Sequence, residues 1–336
     1  MDFLLSCFAL FPALAVSPIT TPPSVTADNA AATTTSSAAL DWHSQLFLSV
    51  LAACCALLYF FFFVKAAAGR GRVRFERFGP PEAGVATFLV TLLLLDIVHG
   101  FYSAIAIARG NSPPPPTPNS QDIVGAVLVT FVFQLLLVCG PLVGLALRRI
   151  PIAETLGLAS PEISPPPPRW GINPGKPPPP TLSRALWMAL GLVLAAYPLL
   201  LGAAALAQRI PGMPVLKSGQ DEEAVRLFKA SLSLESRTAM IVAAVVIAPL
   251  VEEFLFRGYL YPIFRRYFGV MTGIFLNSAL FAAMHVHLPS LAPLFVLAVC
   301  LTLAYEATGS LLVPMAMHAL FNAFNVALLT LGVSGG

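Results

Sequence analysis

Long apolar runs recur along this chain, and short stretches between them hold nearly all of its charge. The first, 45–64, is uncharged and spans about 30 Å as a helix, the thickness of a bilayer's hydrocarbon core. The run 85–107 follows, interrupted only by Asp96 and His99, and then come 123–147 and 185–207. After a polar stretch the pattern resumes with 238–260, 270–285, 291–304 and 311–331. These runs predict an all-α fold, a polytopic membrane helix bundle of about eight transmembrane helices. The seventh is short, which suits a tilted span or one that does not fully cross.

Composition agrees. The chain is 57% hydrophobic and 10% charged, against about 25% charged in a soluble domain. Its 336 residues offer too little interior to hide that much apolar surface from water. The formal charge of +3 is small and scattered, so no nucleic-acid partner is expected. Five cysteines lie inside apolar runs without C-x-x-C spacing and read as small buried hydrophobes.

The polar segments organise the chain. Residues 1–41 form an apolar stretch and then a Ser/Thr/Ala/Pro-rich one, a targeting-like or disordered segment. Residues 42–184 carry the N-terminal helices, with proline runs at 113–116, 165–168 and 177–180 that read as extended spacers. Residues 185–331 form the third unit. Residues 217–237 carry mixed charge with apolar positions at Val225, Phe228, Leu232 and Leu234, the pattern of a short surface helix. Basic residues set the topology: Lys65, Arg70, Arg72, Arg74 and Arg77 share a side with Arg148, Arg149, Arg169, Lys176, Arg265 and Arg266. That side is cytoplasmic or its organellar equivalent, and the membrane is an endomembrane or a chloroplast-type one.

The candidate chemistry sits in the third unit. From Thr238 onward the chain has six charged residues, namely Glu252, Glu253, Arg257, Arg265, Arg266 and Glu306, together with His285, His287 and His318. A charge at a helix centre costs about 2.5–3.5 kcal/mol on insertion scales, so intramembrane charges face protein or a wet cavity. Glu253 and Arg257 are four apart and can pair on one face, whereas Glu252 points about 100° away. One glutamate is thus neutralised while its neighbour serves as an acid or base. For Arg257 the structural role, an ion pair, is the simpler one. His318 and Asn322 share a face and suit stabilisation of an oxyanion. Phe281 and His285 also share a face, and His287, beside Leu288-Pro289, reads as a helix-end residue.

Glu252-Glu253-x-x-x-Arg257, Phe281-x-x-x-His285 and His318-x-x-x-Asn322, in that order on separate apolar helices, resemble the CPBP family. That family, also called Abi, contains the type II CAAX prenyl endopeptidases and the lysostaphin-resistance-like proteins. The resemblance covers 185–331. It implies an intramembrane endopeptidase in which Glu252, helped by His285, activates a water, His318 and Asn322 form the oxyanion hole, and Glu253 and Arg257 shape the site. It also implies a peptide or prenylated protein substrate presented at the lipid bilayer. No cofactor is certain. There is no H-E-x-x-H, and zinc is the one metal that ligands from separate helices could assemble. The sequence does not specify an oligomeric state. The alternatives are a proton-coupled transporter, against which stand the few polar residues in the N-terminal spans, and a non-catalytic scaffold of the same fold. A shared site also requires His285 and His318 at similar depth, which eight straight spans would not give and a short or tilted helix around 270–304 would.

Overall fold

The computed structural model describes residues 42–108, 120–159, 179–209, 228 and 233–331. The expected targeting-like segment, two of the proline runs, half of the third, and nearly all of 217–232 lie outside the described residues. Every regular element among the described residues is helical. Among the described residues, seven helices are long and apolar enough to cross a membrane. The fifth, Leu234–Ala283, breaks at Gly269, whose φ of 82° lies in the region that glycine tolerates. Beyond the break the chain folds back, so that a Cβ on Gly273 would lie 3.0 Å from the backbone nitrogen of Arg265. The long helices are α1 (Trp42–Lys65), α2 (Pro80–Ala108), α3 (Ser120–Leu147), α4 (Leu182–Ala207), α5 (234–268), the short return α6 (270–283), α7 (Leu291–Thr308) and α8 (Leu312–Thr330).

Burial is graded toward the polar helices. In α7, 61% of the apolar window is buried, against 17% in the span containing α1. The helices facing α5, α6 and α8 are therefore enclosed by protein, and the outer ones expose Phe60, Phe88, Leu136 and Trp187 as a lipid-facing surface must. Packing at the centre uses small residues. The inward stripe of α4 is Ala185, Ala189, Leu192, Val193, Ala196 and Leu200, in which alanines let neighbouring backbones approach. The Tyr59 hydroxyl donates to the Leu192 carbonyl at 2.7 Å and ties α1 to that stripe.

The basic loops gather at one end of the bundle, as the charge pattern predicts. Arg148 pairs with Glu82 at 2.9 Å, and Arg77 with Glu154 at 3.1 Å. Arg266 donates to the Glu76 carbonyl at 2.7 Å. Arg265 departs from the loop role expected for it: it is buried, pairs with Glu306 and stacks over Phe75 at 4.4 Å. Tyr261 donates to the same Glu306 oxygen at 2.6 Å, and the Arg72 amide donates to the Glu306 carbonyl at 2.9 Å. Gly71 completes this packing, since a Cβ there would overlap the Glu306 carboxylate. The segment after α1 is thereby strapped onto the ends of α5 and α7.

Candidate active site

The glutamates occupy Ala248–Glu253, a short stretch of α-helix between two wider π-helical segments, Ala243–Ile247 and Phe254–Leu260. Prolines supply a local cause. Pro249 and Pro262 cannot donate to the carbonyls four residues earlier and crowd them, so the ladder loosens in the preceding turn. Such bulges are common at functional sites because they re-aim side chains and free backbone groups. One freed group is used at once: the Asn322 amide donates to the Ala244 carbonyl at 2.8 Å.

Glu253 is the hub. One of its oxygens accepts from Arg257 Nη1 at 2.9 Å and from His318 Nδ1 at 2.9 Å, and both Glu253 and Arg257 are 0% exposed. The i,i+4 pairing read from the spacing is present, and α8 adds a third member. Arg257 also donates through Nη2 to the Ala298 carbonyl on α7 at 3.1 Å. Thr302 bonds the same carbonyl at 2.8 Å and receives a long contact from Asn277 at 3.4 Å. Buried charge in a membrane is tolerated when it is paired and hydrogen-bonded, and this network does both across α5, α6, α7 and α8.

Phe281 forms the apolar wall. The Arg257 guanidinium lies 4.5 Å above its ring, a cation–π contact. The same ring packs against His285 at 5.0 Å and His318 at 5.8 Å, so the two imidazoles meet at one depth. The break at Gly269 explains this, because α6 runs only about 20 Å from 270 to 283. His285 Nδ1 lies 2.8 Å from the Phe281 carbonyl. A carbonyl can only accept, so Nδ1 carries the proton and Nε2 is the basic nitrogen. Val286, next in sequence, has a φ of 48°, which for a β-branched residue costs about 1–3 kcal/mol and marks a held conformation. Its side chain packs where Gly100 of α2 leaves room, since a Cβ there would approach within 2.8 Å.

Glu252 is buried, with Glu253 and Arg257 as its electrostatic neighbours, and its Oε1 has no hydrogen-bond partner. Glu253 Oε2 is likewise unpartnered, but Glu253 Oε1 is held by Arg257 and His318, which leaves Glu252 as the carboxylate without an ion-pair contact. Asn322 shares the α8 face of His318 but spends one amide proton on Ala244. Asn325, three residues further along that face, is buried with an unpartnered Nδ2. Sequence reasoning passed over it, although 318, 322 and 325 form an i, i+4, i+7 stripe that could have marked it. His287 is a helix-end residue, bonding Ser290 Oγ at 2.7 Å, and burial pushes its imidazole down to about 4. No three His, Cys, Asp or Glu side chains among the described residues are arranged to hold a metal ion. Glu253 Oε1 and His318 Nδ1 are already committed to one another, with Arg257 on the same oxygen. The residues present do not fit the zinc site the sequence allowed, and no step below runs through a metal.

The fold and the site define a multi-pass helical membrane protein with a buried carboxylate, guanidinium and imidazole centre. Residues 234–324 match the family described as Type II CAAX prenyl endopeptidase Rce1-like, a protease family. The match contains all six candidate residues and bears out the resemblance carried by the motifs. Among curated proteins and solved structures, none matches the chain.

Proposed function

We propose that the protein is an intramembrane endopeptidase that hydrolyses a peptide bond near the C terminus of a prenylated protein. Glu252 takes a proton from a water held between it and His285 Nε2 as the water oxygen attacks the scissile carbonyl carbon. The carbonyl oxygen becomes an oxyanion, stabilised by the second amide proton of Asn322 and by Nε2–H of His318, whose ring carries a proton on both nitrogens with Glu253 as its counter-ion. Collapse of the tetrahedral species breaks the C–N bond, and Glu252 returns its proton to the departing amine. Glu253 and Arg257 touch no reacting atom; they hold His318 by its Nδ1–H and balance the charge. The observation that carries this reading is Glu252 itself, buried with an unpartnered oxygen beside a Glu253 whose Oε1 is held by Arg257 and His318, and inside the segment that matches a protease family.

A prenylated substrate suits a site enclosed by helices, because the lipid delivers the peptide terminus from the bilayer. The test uses the purified full-length protein in nanodiscs, a farnesylated CAAX peptide and the same peptide without the farnesyl group. The expected result is release of the C-terminal tripeptide from the farnesylated peptide, at least tenfold faster than from the bare one. Equal rates would remove the prenyl specificity, and no release from either would remove the peptidase reading.

A further inference from the structure

We propose that Gln134, on α3, binds the backbone N–H and C=O of one substrate residue about two positions from the scissile bond. The inference rests on the peptidase reading and extends recognition to helices outside the matched segment 234–324.

The inward stripe of α3 is Ile123, Val127, Thr130, Gln134, Pro141 and Leu145, apolar except at its middle. Thr130 satisfies itself within the helix, donating to the Ala126 carbonyl at 2.9 Å. Gln134 does not. It is 4% exposed, and among the described residues its side-chain amide makes no hydrogen bond. An amide without partners at membrane depth costs several kcal/mol, so its retention needs an explanation.

Gln134 opens into a small cleft. One wall is Val127, Thr130, Phe131 and Gln134, and the other is Ala243, Ile247 and Ala248 of α5. The alanines bring the α5 backbone close to the cleft surface. Ala248 and Glu252 are four apart on one helix face, so the cleft lies about 6 Å along the axis from Glu252. An extended peptide advances about 3.3 Å per residue. With its scissile carbonyl at Glu252, such a chain places the N–H and C=O of a residue two positions away beside Gln134. A glutamine amide presents its C=O and one N–H side by side, as the N–H and C=O of a single residue in an extended chain are, so the two can exchange a pair of hydrogen bonds. Val127, Phe131 and Ile247 exclude water around that pair and strengthen it.

The test replaces the amides flanking the scissile bond of the farnesylated CAAX peptide with esters, one at a time. Each ester removes one backbone N–H and keeps the shape. With wild-type protein, one ester is expected to raise KM about tenfold with kcat within about twofold. Gln134→Met, which keeps length and loses the amide, is expected to show the same KM increase on the all-amide peptide. It should pay no further penalty for the ester. A merely structural glutamine would leave the ester penalties unchanged. If Gln134→Met fails to fold, the same scan with Gln134→Asn, whose amide is withdrawn by one methylene, reads the same coupling. Identical ester penalties in wild type and variant would overturn the role of Gln134 alone. A wild type that cleaves none of the peptides would overturn the peptidase reading and this inference together.

Discussion

Replacing Arg257 with methionine is expected to cost about 3–5 kcal/mol of stability, the usual consequence of removing one partner of a buried ion pair. Arg257 is 0% exposed, bonds Glu253 and the Ala298 carbonyl, and lies on the Phe281 ring. Without it, Glu253 keeps only His318, and the Ala298 carbonyl keeps only Thr302. The measurement is thermal unfolding of purified protein in detergent, where the midpoint should fall by several degrees. The paired substitution Glu253→Gln with Arg257→Met should recover most of the loss, because no uncompensated charge remains. Additive losses in the double variant would mean the two residues do not act as a pair.

Glu252→Gln is expected to show the opposite separation. Its Oε1 makes no hydrogen bond, and an amide of the same shape avoids the cost of burying a charge and the repulsion from Glu253, which together outweigh the lost attraction to Arg257. Unfolding should stay the same or move slightly upward. Activity on a farnesylated CAAX peptide should fall by at least about 10³-fold, because an amide cannot accept the proton of an attacking water. His285→Ala should lose about 10²–10⁴-fold by removing the nitrogen that helps hold the water. A Glu252→Gln variant that keeps full activity would assign the proton acceptor elsewhere. A functional carboxylate kept at the expense of the fold is the usual signature of a reactive site, where stability and activity compete.

Much of the architecture was legible in the sequence, because lipid permits few alternatives. A backbone without water must close its hydrogen bonds within helices, so apolar length translates directly into spans. The multi-pass helical bundle and the gathering of basic loops at one end follow from that constraint. The pairing of Glu253 with Arg257 was legible for a similar reason: helix geometry makes residues four apart neighbours whatever surrounds them. Contacts between distant helices were not. Nothing in spacing announces that His318 bonds Glu253, or that Glu306 binds Arg265, since those pairs depend on how α7 and α8 pack. Arg265 carried the same letter as the loop arginines around it, and only burial separates it from them. The mismatch in depth between His285 and His318 came from treating the spans as straight. Gly269, which folds α6 back, and the proline-associated π segments of α5 resolve it. Gln134 was hidden because a single amide in an apolar run carries no pattern.

Everything proposed for this site depends on a water activated by Glu252 and added to a peptide carbonyl. The most direct test incubates the wild-type protein in nanodiscs with a farnesylated CAAX peptide in ¹⁸O water and weighs both products by mass spectrometry. The account predicts an unlabelled C-terminal tripeptide and a prenylcysteine fragment whose new carboxylate contains one ¹⁸O atom. Intact peptide after prolonged incubation with stoichiometric protein would contradict it.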